Sequence, residues 1–347
     1  MEKLFVSSWC DGETVPENYV FPPELRPGDN LNPKSDITIP IIDLNKLHGS
    51  DRASIVNQIM EACIEFGVFQ VINHGVSRET MDETRRMFSE FFKLPAEDKS
   101  KFISWDQNSI FSLYTSNYNY HEEKIHFWRD VVTQKCHPLE ECIPYWPHKP
   151  DGYREIIKEY SVKMIELGSR ILEVISEGLG LEPGYFGKEL SQDAKVNLNH
   201  YPPCPDPRLT LGTAKHNDRS LVTILLQGHG NIPGLQYCKD GEWTTIDPSP
   251  DALVVFMGHI MKIVSNGKLR SADHQSVTNK TEARESSAFF LCPTQDCVIE
   301  PAKALITPEN PPLFKSITYT EFLKAHNATR NLKANPEDVV KTFSIKA

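Results

Sequence analysis

Residues 215–227 read KHNDRSLVTILLQ, a polar triplet His216-Asn217-Asp218 that runs into an apolar, partly β-branched stretch from Ser220 to Gln227. Strand-like runs of this kind recur after Pro183: Val196–His200, Leu235–Tyr237, Trp243–Ile246, Ala252–Met257, Met261–Val264, Gln275–Thr278 and Ser286–Cys292, separated by Gly, Pro, Asn and Asp. Short strands spaced this way predict an antiparallel sandwich or open barrel. The spacing puts His216 and Asp218 in a polar loop before one strand and His274 just before another. Such placement lets distant segments converge at one mouth of a barrel.

Two neutral imidazoles and one carboxylate on one face of an iron ion leave the opposite positions open, the facial arrangement of non-haem Fe(II) chemistry. His216, Asp218 and His274 are therefore the candidate metal ligands. With 12 histidines in the chain, an HxD pair alone is weak, because an isolated histidine is more often a hydrogen-bonded structural group. The weight comes from the ordered set: HxD before a strand, a second His at a later strand, and Arg284-Glu285-Ser286 opening the next. Residues two apart on a strand share a sheet face. A guanidinium offers a carboxylate a planar fork that lysine cannot, so Arg284 and Ser286 suit the far carboxylate of a diacid bound to the same metal.

Upstream, Ile37–Leu44 reads as a strand, and Asp51 or Ser54 starts a helix through Glu65 with Ile55, Ile59, Met60 and Cys63 on one face. A strand at Val68–Asn73 and a helix closing near Leu94 and Pro95 follow. Ile156, Ile157, Tyr160, Met164, Ile171 and Ile175 mark a helix from Tyr153 to Leu179, roughly 40 Å long at about 1.5 Å per residue. Residues 1–36 read as an irregular surface arm without a function. The 100–150 segment is irregular and aromatic. Singly its rings are core; together they are candidates to line a pocket, with Tyr118 and Phe127 as substrate contacts. A cationic substrate would find aromatic faces there, with Glu122 or Glu123 to pair with it.

The 347 residues carry 37 basic and 47 acidic side chains, a net charge of −10, with 39% hydrophobic content. That is ordinary for a globular enzyme and allows a sizeable core. The negative field disfavours phosphate backbones and anionic lipid, so no nucleic-acid or membrane partner is expected. Eight scattered cysteines without a CxxC pair are expected to be reduced thiols. The N-terminal residues lack a secretory signal's apolar core, and a cytoplasmic monomer is expected.

The chain resembles the plant 2-oxoglutarate- and Fe(II)-dependent dioxygenases from about Ile37 to Leu323. The matching segments are IPIIDL (39–44), ACIEFGVFQVINHGV (62–76), NHYPPCPDP (199–207), HND (216–218), PGLQ (233–236), SNG (265–267) and RESSAFF (284–290). WRD (128–130), PLEEC (138–142) and ISEGLGLEPGYF (175–186) are similar to the hyoscyamine 6-hydroxylase-like branch. The resemblance implies a mainly β protein with flanking helices, built on a double-stranded β-helix or jelly roll. It implies an N-terminal region over 1–191, a dioxygenase core over 192–297 and a segment over 298–347 that covers the barrel mouth, with Phe314 and Tyr319 as further substrate contacts.

It also implies Fe(II) on His216, Asp218 and His274. Arg284 and Ser286 would grip 2-oxoglutarate, assisted by Tyr201 and Asn199, with O2 as oxidant and ascorbate as reductant. The implied reaction passes through an Fe(IV)-oxo oxidant, releases succinate and CO2, and hydroxylates a C–H bond of a small specialised metabolite such as an alkaloid or phenylpropanoid. Desaturation, epoxide closure, O-demethylation and a catalytically silent binding module remain alternatives. The acidic charge speaks against a nucleic-acid demethylase.

Overall fold

The computed structural model describes residues 4–47, 49–328 and 335–345, apart from the Lys188 side chain. Its principal strands are β1 (Ile41–Asp43), β2 (Val68–Ile72), β3 (Phe111–Thr115), β4 (Asp130–Lys135), β5 (Asp193–Tyr201) and β6 (Thr213–His216), then β7 (Val222–Gln227), β8 (Leu235–Lys239), β9 (Glu242–Thr245), β10 (Leu253–Met257), β11 (Asp273–Ser276) and β12 (Arg284–Cys292). Among the described residues they form a major sheet in the order β1-β2-β10-β7-β12-β5-β4-β3 and a minor sheet in the order β6-β11-β8-β9. The two sheets face each other as the double-stranded β-helix. β2 pairs with β10 and β4 with β5, so residues 1–191 and 192–297 share one continuous sheet.

Alternation along β12 shows how the sheet is used. Ser287, Phe289 and Leu291 point outward, while Arg284, Ser286, Ala288 and Phe290 point between the sheets. The outer face is covered by the Tyr153–Leu179 helix, whose Tyr160 hydroxyl meets the Ser287 hydroxyl at 3.1 Å. Close approach there depends on Gly168: an added Cβ would lie 2.2 Å from Leu291 Cδ1. The helix ends at Gly180, which adopts φ 72°, the left-handed stop that glycine permits. The Arg78–Lys93 helix is capped by the Ser77 hydroxyl, which accepts from Thr80 N.

Several expectations are corrected. Met261–Val264 is not a strand but part of a short helix, His259–Val264. A four-residue run, buried but for Lys262, is too short to carry a period that separates the two states. His216 lies not in a loop but at the end of β6, a half-exposed strand without alternation, and His274 lies within β11 rather than before it. The 100–150 segment contains two buried strands, β3 and β4. The N-terminal arm is anchored as well as irregular: Val6 and Ser7 donate their N–H groups to the Asp130 carboxylate, both at 2.9 Å. Tyr19 and Trp9 pack on Trp128, and Phe21 on Phe127.

Candidate metal and cosubstrate site

A cavity of about 790 Å3 opens between the sheets, floored by Leu225, Leu235, Phe256 and Ala288 of the inter-sheet core. β6 and β11 pair with His216 opposite His274, which brings the two imidazoles to a centroid separation of 4.1 Å. Asp218, two residues past the end of β6, places Oδ1 3.9 Å from His216 Nε2 and 4.0 Å from His274 Nε2. All three ligand atoms lie within 4.8 Å of one another. Each imidazole donates Nδ1–H to a carbonyl, that of Ala214 at 2.9 Å and that of Ala272 at 3.0 Å. This orients both rings and leaves the Nε2 lone pairs for a metal. His274 also stacks on Phe256 at 4.3 Å.

The residues fit a divalent iron. Asp218 is buried, and its Oδ2 has no hydrogen-bond partner among the described residues. An uncompensated buried carboxylate is costly unless a cation neutralises it, and two nitrogens with one carboxylate oxygen is the donor set ferrous iron takes.

Of the residues expected to hold the cosubstrate, Ser286, Tyr201 and Asn199 line the same cavity, and Arg284 lies directly behind the Tyr201 ring. Arg284 is 3% exposed, and none of its three guanidinium nitrogens finds an acceptor among the described residues. Burial pushes its pKa below the ordinary value, and it sits over the Tyr201 ring at 5.2 Å. A desolvated guanidinium without a hydrogen-bond acceptor, packed against the cavity residue Tyr201, is a ready receptor for a carboxylate. Ser286 projects from the same strand face, opposite Asn199 of β5. Burial alone would raise the Tyr201 phenol; the charges of Arg284 and Arg129 outweigh it and bring the pKa below its usual value. The Tyr201 hydroxyl donates to Ser276 Oγ at 3.3 Å. Asn199 Oδ1 accepts from Arg129 at 3.1 Å, so its carbonyl is already engaged.

Gly234 of the PGLQ segment packs directly on Arg284: an added Cβ would stand 2.8 Å from Arg284 Cδ. Gly234→Ala is expected to displace the guanidinium and weaken 2-oxoglutarate binding by about 10- to 100-fold. Calorimetric titration of the metal-loaded protein checks this, and unchanged affinity would remove Gly234 from that role.

Of the expected substrate contacts, Phe127 lines the cavity. Tyr118 packs against Tyr114, tilted by 34° with ring centroids 4.2 Å apart, and is not part of the lining. Phe314 and Tyr319 also stand off it. Phe314 is buried in the main core and bridges to Ser344, and the Tyr319 hydroxyl donates to the Arg219 carbonyl at 3.1 Å. The C-terminal segment meets the cavity instead through His326, Asn327, Asn335, Pro336 and Val339. His259 holds that rim by donating Nε2–H to the Pro336 carbonyl at 3.1 Å, while its own N–H donates to the Asp218 carbonyl at 2.8 Å.

Sequence reasoning missed Lys195 and Arg219, which also line the cavity. Lys195 was within reach of the strand period, since it shares the face of Asn199 and Tyr201; Arg219 follows the HxD triplet directly.

Residues 192–293 match the 2OG-Fe(II) oxygenase superfamily, and residues 39–151 match the N-terminal region described for a non-haem dioxygenase in morphine synthesis. The chain is 41% identical over 329 residues to hyoscyamine 6-dioxygenase of Hyoscyamus niger, covering 92% of this chain and 93% of that protein. It is 41% identical over 313 residues to flavanone 3-dioxygenase 2 of Oryza sativa subsp. japonica, covering 90% of each. The crystal structure of JOX2 in complex with 2OG, Fe and JA superposes with a TM-score of 0.85 at 32% identity, over 99% of this chain and 98% of that one.

Proposed function

Because the chain belongs to the 2OG-Fe(II) oxygenase superfamily and is a 2-oxoglutarate- and Fe(II)-dependent dioxygenase, we propose that it hydroxylates a C–H bond of a small specialised metabolite of alkaloid or phenylpropanoid type. The observation that carries this is a complete His216–Asp218–His274 ligand set in a cavity whose lining residue Tyr201 packs against the buried Arg284 guanidinium, which has no hydrogen-bond acceptor among the described residues. The named activities of the hyoscyamine and flavanone relatives support the substrate class.

When bound, iron supplies dioxygen activation coupled to oxidative decarboxylation of 2-oxoglutarate to succinate and CO2. The protein does the rest by positioning. Arg284 and Ser286 fix the distal carboxylate, and Tyr201 buttresses the guanidinium with its ring. The Ala214 and Ala272 carbonyls hold the two imidazoles in one tautomer and one orientation. Phe127, Leu225, Phe256 and Phe290 keep the wall facing the organic substrate apolar, which excludes water and lets the orientation of the bound C–H select the site oxidised.

We place the enzyme in the cytoplasm as a monomer acting without nucleic acid or membrane, with ascorbate as reductant. Its net charge of −10 and its free thiols support this reading, and none of its described helices is long and apolar enough to cross a membrane. Incubation with Fe(II), ascorbate and carboxyl-labelled 2-oxoglutarate is expected to release labelled CO2, slowly alone and faster with an accepted metabolite. No release from iron-loaded protein, with or without a metabolite panel, overturns the proposal.

A further inference from the structure

Arg284 packs on Tyr201 at one end of the cavity, the end proposed for the cosubstrate, and a second pair of cations lines the other. β5 and β12 pair with Arg284 opposite Tyr201, Ser286 opposite Asn199, Ala288 opposite Asn197 and Phe290 opposite Lys195. On the other side of β12, Phe290 stands opposite Thr223 of β7. The far end of the cavity therefore gathers Lys195, Thr223, Phe290 and Cys292, together with Arg219 just before β7. From Tyr201 to Lys195 along β5 is ~20 Å at roughly 3.3 Å per residue. A five-carbon diacid gripped by Arg284 does not reach that far.

Lys195 and Arg219 are half-buried and act on each other: burial first, and then the Arg219 charge, lowers the Lys195 pKa. The Arg219 charge also reaches Tyr118, Cys292 and Tyr319, and Tyr319 holds its carbonyl. Neither cation donates a hydrogen bond or forms an ion pair among the described residues. Asp193 acts on Lys195 only through space, and the Lys195 ammonium lies 5.9 Å from the Phe290 ring centroid. Of the other cations of the lining, Lys124 is solvent-exposed, and Lys215 and Arg129 are committed. Lys215 pairs with Asp273 at 2.8 Å, and Arg129 donates to the Ser116 carbonyl, Asn199 and Thr213. Of the acids, Glu123 already accepts from Ser116 and His126, and Glu122 is solvent-exposed.

Two like charges converging on one half-buried wall raise each other's free energy unless an anion lies between them. We infer that Lys195 and Arg219 bind an anionic group, a carboxylate, on the organic substrate, with the Arg219 fork and the Lys195 point charge flanking it. The substrate is then an acid and not an amine, and its carboxylate, anchored at the far end, sets which carbon faces the metal. This rests on the function proposed above and narrows its substrate class.

The test is anaerobic calorimetric titration of the Fe(II)- and 2-oxoglutarate-loaded protein with a matched set: trans-cinnamate, its methyl ester and cinnamylamine. Cinnamate is expected to bind about 10- to 100-fold more tightly than the ester. Lys195→Gln and Arg219→Gln should each cut that preference several-fold and Lys195→Arg should retain it, while 2-oxoglutarate affinity, titrated separately, reports that the fold is intact. Equal or tighter binding of the ester or amine, no binding of the acid, or a preference unchanged in both glutamine variants overturns the inference while leaving the dioxygenase reading in place. Failure of 2-oxoglutarate to bind the wild-type protein would bring down both.

Discussion

Replacement of Asp218 by alanine is expected to abolish coupled turnover, with kcat/KM falling by at least ~10^3-fold, a loss of about 4 kcal/mol. Asp218 is the only carboxylate of the ligand set, and its Oδ1 lies almost equally far from the two imidazole nitrogens, at 3.9 and 4.0 Å. Without it, two neutral nitrogens face a divalent ion with no charge compensation. His216 and His274 stay oriented by the Ala214 and Ala272 carbonyls, so the loss is one of ligation and not of fold. Metal titration followed by thermal unfolding separates the two. A ligand at about 100 times its Kd stabilises a native state by about 2.7 kcal/mol; the wild-type protein should show that gain on addition of Fe(II) and the variant should not. A variant that keeps full metal stoichiometry would exclude Asp218 from the ligand set.

The triad is legible in the sequence because two of its ligands sit on a register that the strands impose and the third follows His216 by two residues. His216 and His274 are cross-strand partners, so two β-type runs that each carry a histidine at one end are enough to suggest convergence. Arg284 and Ser286 are legible for the same reason: a period of two places both on the inner face. The long helix is found to the residue, because nothing in Tyr153–Leu179 interrupts its apolar period and Gly180 supplies the stop. His259–Val264 fails the same kind of reading, since a six-residue run buried but for Lys262 is too short to set a phase.

The substrate wall was harder to read for a different physical reason. A cavity is lined by residues that several elements bring together, and local pattern does not say which ring in an aromatic segment turns inward. Phe127 faces the cavity while Tyr118, nine positions earlier, packs against Tyr114 outside the lining. The C-terminal segment does reach the cavity, but its aromatic residues serve the core. Phe314 and Tyr319 are buried, and the rim is built from the polar His326, Asn327 and Asn335. The pair at the far end, Lys195 and Arg219, became visible only once the β5–β12 register was known, because its members are 24 residues apart and join through two different strands.

Arg284→Met is expected to act in opposite directions on ligand binding and on the ligand-free protein. The guanidinium is buried and without a hydrogen-bond acceptor among the described residues, so it carries a desolvation cost that the Tyr201 ring at 5.2 Å only partly offsets. Replacing such a group by an apolar side chain of similar length should raise the stability of the 2-oxoglutarate-free protein, on the order of 1–4 kcal/mol. The same change removes the cation proposed to grip the cosubstrate's distal carboxylate. Leaving that carboxylate buried without its cation costs about 3–5 kcal/mol, roughly a 100- to 5,000-fold loss of 2-oxoglutarate affinity. Arg284→Lys should fall between, keeping the charge but losing the fork. Chemical denaturation with and without 2-oxoglutarate, alongside calorimetric titration, reads both effects on one protein. An arginine held for structural reasons would give the reverse pattern: a less stable variant that still binds 2-oxoglutarate. That result would move the cosubstrate's carboxylate away from Arg284 and with it the orientation of the whole cavity.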